Sequence, residues 1–310
     1  MAGVILGTMS FGDTVDETAA HEIVEGALSG GVAEIDTAVT YSGGESERML
    51  GRILRDQPTD VRVSSKVGMQ QPSAGGPLST AEIVRCATQS VERIGRPLDT
   101  LYLHQPDRTT PLIETVAGLT TVIEQGLAGR IGVSNHASWQ VAELAAACRT
   151  AGIAAPVRAQ QLYNPLARGL ETDFFGYSAE RGIEVVVYNP LAGGLLTERH
   201  IGARSPLGGR FADSALADMY RARYWRDDFL HVARELAGIA ADAGMSLVEL
   251  CLRWVVSHRE IAAVVLGASR AEHVGTNIAA LAAGPLPDDL RARVDAACAP
   301  AREHAPAYAR

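Results

Sequence analysis

Cysteine is scarce in this chain, with four residues in 310. Cys86, Cys148, Cys251 and Cys298 lie far apart and form no CxxC pair, and three sit among Ala, Val or Leu in helical patterns. Such spacing argues against a disulfide framework or a zinc site, so no metal is expected, and buried thiols of a reducing cytoplasm are the simpler reading. Long apolar runs are also missing: Gly, charged and polar residues interrupt each one before the roughly 18 to 20 residues that a membrane-spanning helix requires. The opening Met1-Ala-Gly-Val-Ile-Leu-Gly7 has no cationic region or cleavage site, so it is expected to be a first strand rather than a secretory signal. Basic residues are in deficit, 28 Lys and Arg against 36 Asp and Glu, for a formal net charge of −8. Nucleic-acid surfaces need clustered cations, so neither nucleic acid nor membrane is an expected partner, and the charge serves solubility.

Two further absences bear on the fold. No linker or shift of composition divides the chain, and no GxGxxG follows the first strand, where an open dinucleotide-binding sheet would carry it. What is present is an alternation of short β-type runs with amphipathic helical stretches, the pattern of a parallel sheet with crossover helices. The strand candidates are Val4 to Leu6, Val32 to Asp36, Val61 to Lys66, Thr100 to His104, Arg130 to Val133, Arg158 to Leu162, Ile183 to Tyr188 and Ala262 to Leu266. Runs such as Glu184-Val-Val-Val-Tyr188 suit strands buried on both faces. Eight such units predict an α/β fold, a (β/α)8 TIM barrel in a single domain over residues 1–310, with a long loop after strand 7 and a C-terminal tail over the active-site face.

Helix signals fill the gaps. Asp16 or Thr14 is placed to cap a helix containing Ile23, Val24, Ala27 and Leu28, which Gly30-Gly31 ends. Ser79-Thr-Ala-Glu82 has capping-box spacing, and Ser246 opens a helix from Leu247 to His258. One connection, about Asn189 to Asp227, is longer than the others and is rich in Gly, Arg and aromatic residues; loops of that length in a barrel tend to be functional. Barrel sites lie at the C-terminal ends of strands.

Reading those ends in order gives Asp36 and Tyr41 after the second strand, Lys66 after the third and His104 after the fourth. A buried ammonium is costly without a carboxylate, and Asp36 is the candidate partner of Lys66. A phenol with an ordinary pKa near 10 is a sluggish acid, and a nearby Lys⁺ is expected to lower it. His104 is suited to orienting a carbonyl or sharing its proton. Taken singly, His104 is also explained as a core histidine, Asp36 as a cap, Tyr41 as a surface aromatic and Lys66 as a solvated side chain. Together they form a general acid poised over an oxygen that gains charge as hydride arrives at carbon.

Glu34-Ile-Asp-Thr-Ala-Val-Thr-Tyr41, Ser64-Ser-Lys-Val-Gly68, Leu101-Tyr-Leu-His-Gln-Pro-Asp107, Gly132-Val-Ser-Asn135 and Gln160-Gln-Leu-Tyr-Asn164 resemble, in order, the motifs of the aldo-keto reductases. Within them, Tyr188-Asn-Pro-Leu-Ala-Gly-Gly-Leu-Leu-Thr197, Met219-Tyr-Arg-Ala-Arg-Tyr-Trp225 and His304-Ala-Pro-Ala-Tyr-Ala-Arg310 are most similar to the aflatoxin-aldehyde (succinic semialdehyde) reductase subgroup. The resemblance implies reduction of an aldehyde or ketone by hydride transfer, with Asp36, Tyr41, Lys66 and His104 as a catalytic tetrad and Tyr41 as proton donor. It also implies that Ser134, Asn135 and Gln160 or Gln161, the first preferred, hold the nicotinamide carboxamide, with Tyr188 stacked on the ring. The Pro190 to Leu195 segment would then lie along the pyrophosphate, where glycine lets backbone N–H groups approach, with Asn189, Leu191 and Gly193 as cofactor-binding residues.

By the same resemblance the adenosine end falls on Gly267, Ser269, Arg270, His273 and Asn277. Gly267 and His273 stand where many members carry Lys and Arg or Gln, which weakens a 2′-phosphate clamp; Arg270, with Arg210 from the long loop, keeps NADPH ahead of NADH. Tyr220, Arg223 and Arg310 match residues that grip a small acidic substrate, and Met9, Trp225 and Tyr41 would wall the pocket; the rival view makes Arg221, Arg223 and Arg226 a solvated or subunit-facing patch. A homodimer or higher homo-oligomer is implied as well. The alternatives are a cofactor-binding regulatory subunit similar to potassium-channel β-subunits, or a pathway-specific ketoreductase or sugar reductase.

Overall fold

The computed structural model describes residues 2–55, 57, 60–73 and 75–309. Eight parallel strands close on themselves in sequence order, each pairing with the next and β8 with β1. They are β1 (Gly3–Gly7), β2 (Glu34–Asp36), β3 (Arg62–Val67), β4 (Leu98–Leu103), β5 (Ala128–Ser134), β6 (Arg158–Leu162), β7 (Glu184–Tyr188) and β8 (Ile261–Gly267). All eight sequence-predicted strands are present. The boundaries that matter moved slightly: β3 runs one residue past Lys66, to Val67, and His104, expected as the last residue of its strand, lies one residue past β4, its N–H still bonded to the Val67 carbonyl at 2.8 Å.

Around the barrel run α1 (Glu17–Ser29), α2 (Glu45–Leu54), α3 (Thr80–Ile94), α4 (Leu112–Glu124), α5 (Ser138–Thr150) and α6 (Phe174–Arg181). Then follow α7 (Ala217–Tyr224), α8 (Asp227–Asp242), α9 (Leu247–Val256), α10 (Ala271–Ala282) and α11 (Asp288–Cys298). The outward side chains of the strands and the inner faces of the helices form one continuous core, and the four cysteines are buried free thiols within it. Asp16, not Thr14, caps α1, accepting from the Ala19 N–H at 2.9 Å, and Gly31 supplies the left-handed residue beyond its end. Ser246 caps α9 as expected. The expected capping box at Ser79 does not form, because Glu82 turns instead to the Ser73 hydroxyl and N–H and to Arg85.

The barrel interior is divided. Ile5, Val186, Ala263 and Val265, from β1, β7 and β8, form an apolar half capped by Tyr188. From β2 to β6 the interior is polar: Arg158 is paired with Glu34, Ser64 donates to Glu34, and Lys66 and Asp36 lie above them. Buried ions of this kind persist only where each has a partner. The connection after β7 spans the mouth with short 3-10 turns and α7 and has its own packing centre, where His200, Phe211 and Trp225 meet ring against ring. At the rim beside β5 and β6, the tail is held by Tyr308, whose hydroxyl donates to Asp173 at 2.8 Å and whose ring packs on Phe174. Among the described residues no helix is long and apolar enough to cross a membrane.

Candidate active site

Lys66 organises the mouth. Its side chain is 1% exposed, and its Nζ donates to Asp36 Oδ2 at 2.5 Å, to the Thr37 carbonyl at 2.8 Å and to Tyr41 Oη at 3.1 Å. Every N–H of the ammonium is therefore used. Burial works to lower Lys66, and the Asp36 carboxylate and the Tyr41 oxygen outweigh it, so the side chain keeps its proton beyond the ordinary lysine range. Asp36 Oδ1 accepts from Gln160 Nε2 at 2.8 Å, which ties β6 to β2 across the interior.

Tyr41 opens the 3-10 turn Tyr41–Gly44. Its ring is partly exposed, but its hydroxyl sits against the buried ammonium. Burial pushes this phenol up, Lys66 draws it down as expected, and Asp36 pushes it up again; the lowering by Lys66 is outweighed and the net direction is upward. The His104 ring stands edge-on to Tyr41, with centroids 6.0 Å apart and planes at 79°. Thus the structure brings Asp36, Tyr41, Lys66 and His104 into one cluster, with Gln160 and the Thr37 carbonyl as members that residue type alone did not place there.

Beside His104, the Asn135 Nδ2 donates to the His104 carbonyl at 2.7 Å and to Ser134 Oγ, and its Oδ1 accepts from Tyr188 Oη at 2.7 Å. Asn135 and Asn189 both adopt left-handed backbone, φ 60° and 62°, a conformation asparagine tolerates better than most residues. Of the two candidate glutamines, Gln160 faces the interior, whereas Gln161 Nε2 bonds to the His136 carbonyl. Asn189 Oδ1 accepts from the Gly193 N–H at 2.6 Å, and Asn189 Nδ2 and Asn164 Nδ2 both reach Tyr224 Oη. A Cβ on Gly193 would lie 2.5 Å from the Tyr220 ring, so glycine is required there. Leu191 is half-buried at the start of this turn, packed against the core.

Arg210 joins two further groups. Its Nη1 lies 3.5 Å from Tyr220 Oη, its Nη2 would be 2.6 Å from a Cβ on Gly267, and Tyr220 Oη is 3.8 Å from Met9 Sδ. Among the described residues Arg210 and Arg270 have no carboxylate partner. Ser269 and His273 touch each other at 3.4 Å on an exposed turn, and Arg270 precedes α10. Asn277, one turn beyond His273 on α10, is buried beside a small cavity with Ala27, Val32, Leu266 and Val274. Trp225 packs on Phe211 and His200 in the long loop, and Arg223 lies against Met219 Sδ at 3.7 Å. Arg221 and Arg226 are paired with Asp218 and Asp228, while Arg223 has no ion pair among the described residues. Arg310 lies outside the described residues.

A guanidinium with no counter-ion among the described residues, over a strand-end glycine, a left-handed glycine turn and a row of amide side chains fit a phosphate-bearing cofactor with an amide on its ring. Sequence comparison decides the family: the profile of the Aldo/keto reductase family matches residues 3–299. The chain belongs to the aldo/keto reductase family. It is similar to human Aldo-keto reductase family 7 member A3, 34% identical over 91% of this chain and 89% of that protein. Human Aflatoxin B1 aldehyde reductase member 2 is 33% identical over 91% and 82%. A probable voltage-gated potassium channel subunit beta from Oryza sativa is 30% identical over 90% and 86%. This aldo/keto reductase is accordingly a nicotinamide-dependent oxidoreductase of carbonyl compounds.

Proposed function

We propose that the protein uses NADPH to reduce an aldehyde or ketone to its alcohol, with Tyr41 as the proton donor. The observation that carries this is the Tyr41 hydroxyl held 3.1 Å from an ammonium that is itself fixed by Asp36. NADPH, when bound, supplies the hydride to the carbonyl carbon. The carbonyl oxygen gains the electron pair of its π bond, and Tyr41 gives it the phenolic proton. Lys66 stabilises the phenolate left behind, because its charge lies within hydrogen-bond reach of that oxygen. Asp36 holds Lys66 protonated and in place, and His104, edge-on to Tyr41, orients the carbonyl from the other side.

Ser134, Asn135 and Gln160 are suited to the nicotinamide amide, and Tyr188, over the apolar half of the interior, to the ring face. The turn Asn189 to Gly193 with Leu191 would follow the pyrophosphate. Gly267, Ser269, Arg270 and His273 would take the adenosine end with Asn277, and the unpaired Arg210 and Arg270 favour the extra phosphate of NADPH over NADH. For the substrate, Arg223 has a guanidinium free for a carboxylate, which favours an acidic aldehyde gripped with Tyr220 and Arg310 and walled by Met9 and Trp225.

The test is Tyr41→Phe. Aldehyde-dependent loss of NADPH absorbance is expected to fall by roughly 10²- to 10⁴-fold, the usual worth of a positioned acid. Turnover at the wild-type rate in this variant would remove the proposal. The similarity to a potassium-channel β-subunit supports a second reading, a cofactor-binding regulatory protein. Wild-type protein that binds NADPH yet reduces no carbonyl in a panel of acidic, aromatic and ketonic substrates would favour it.

A further inference from the structure

Ser46 and Glu47, on the first turn of α2, are both fully buried, and the proton transfer described above uses neither. Glu47 Oε1 accepts from Ser65 Oγ at 2.7 Å and Ser90 Oγ at 2.6 Å, and Oε2 accepts from Arg93 Nη1 at 2.9 Å. Ser65 directly precedes Lys66 on β3. Ser46 Oγ donates to the Thr8 carbonyl at 2.9 Å and lies 3.1 Å from Thr37 Oγ1, and the Thr37 carbonyl is one of the three acceptors of Lys66.

Between these anchors and Tyr41 stands a turn of three left-handed residues, Ser42, Gly43 and Gly44, with φ of 48°, 63° and 87°. A non-glycine residue such as Ser42 holds that conformation only when its surroundings enforce it. On the near side of Tyr41, the Val39 N–H bonds to the Lys66 carbonyl at 3.1 Å. Tyr41 thus hangs between two fastenings to the same strand: a backbone bond at Lys66 and a carboxylate clamp at Ser65.

We propose that Glu47 is a positioning residue for the proton donor, its carboxylate fixing the start of α2 on β3 and so the Tyr41 hydroxyl against Lys66. This rests on the reading of Tyr41 as proton donor. The charge form matters because of Arg93. A carboxylate accepts from both hydroxyls and neutralises the guanidinium, whereas a glutamine, even with its NH2 turned to the two hydroxyls, leaves Arg93 on a neutral oxygen and loosens the clamp.

The experiment compares wild type, Glu47→Gln, Ser65→Ala, Tyr41→Phe and the Tyr41→Phe/Glu47→Gln double variant, each full-length with NADPH. Misplacing a reacting group by about 1 Å costs on the order of 100-fold, so Glu47→Gln is expected to lower kcat roughly 10- to 100-fold. KM for the aldehyde and Kd for NADPH should stay within about twofold, because the lost interaction acts only on the proton-transfer step. The solvent deuterium effect on kcat should rise above that of wild type. Ser65→Ala should show the same split in smaller degree, and it decides the matter if Glu47→Gln does not fold. In the Tyr41→Phe background Glu47→Gln should cost nothing further.

An unchanged kcat in both Glu47→Gln and Ser65→Ala, a rise in KM and Kd matching the fall in kcat, or an equal loss in the Tyr41→Phe background overturns the inference. If Tyr41→Phe loses turnover and both Glu47→Gln and Ser65→Ala keep it, the role of Glu47 alone is lost. If Tyr41→Phe keeps turnover, the donor reading fails and the role of Glu47 falls with it.

Discussion

Tyr41 stands under opposing influences, and their balance sets a pH dependence. Burial and Asp36 raise the phenol, Lys66 lowers it, and the upward push prevails. Reduction needs the protonated phenol, so its rate is expected to hold through the neutral range and to fall only as pH climbs beyond about 10, the ordinary phenol value. The reverse oxidation needs the phenolate to accept a proton and should rise with pH over the same interval. Initial rates in both directions from pH 6 to 11 check this; a reduction rate that falls between pH 7 and 8 would be incompatible with a raised phenol. Asp36, Tyr41, Lys66 and His104 were legible because ionisable residues ended successive strands. The net rise of Tyr41 was not, since a charge partner can be guessed from residue type but the amount of water around a ring depends on the assembled mouth. Glu47 was equally hidden: in a string it is one acidic residue near the start of a helix, and only the packing of α2 against both β3 and α3 makes it a buried acceptor.

Elements are fitted to one another most closely where glycine removes a side chain. At Gly51 on α2, a Cβ would lie 2.0 Å from the carbonyl oxygen of Arg93, at the end of α3. Gly51→Ala must therefore separate the two helices, and a loss of roughly 1–3 kcal/mol in denaturant unfolding is expected. A substitution without effect would show that the helices part at no cost. Gly193→Ala combines a clash with Tyr220 and a left-handed φ of 71°, so it should weaken NADPH binding, measured by fluorescence titration, more than global stability. At this scale sequence reading did well for strands, whose period and length are local properties. It failed at Ser79, where capping-box spacing was right but Glu82 found stronger donors in Arg85 and Ser73. Choosing between Asp16 and Thr14 likewise required the backbone.

Across the whole molecule, the fold places polar chemistry on one side of the interior and an apolar wall on the other. Strands β2 to β6 carry the ionic cluster, while β1, β7 and β8 present Ile5, Val186, Ala263 and Val265 beneath Tyr188. A flat cofactor ring with one amide edge matches such a divided floor. The eight-fold alternation made the barrel legible from end to end; the pocket was less so, because it is built by the loop after β7, whose course follows its own aromatic packing. Arg223 tests that part: Arg223→Ala should raise KM for succinic semialdehyde about tenfold or more and leave a neutral aldehyde unaffected, whereas equal changes for both would remove the carboxylate clamp. The most direct measurement of the central claim is a single-turnover reduction with NADPH bound beforehand and its occupancy verified by fluorescence. With Tyr41→Phe, occupancy should match wild type while hydride transfer slows by roughly 10²-fold or more; full occupancy with an undiminished burst would contradict the assignment of the proton to Tyr41.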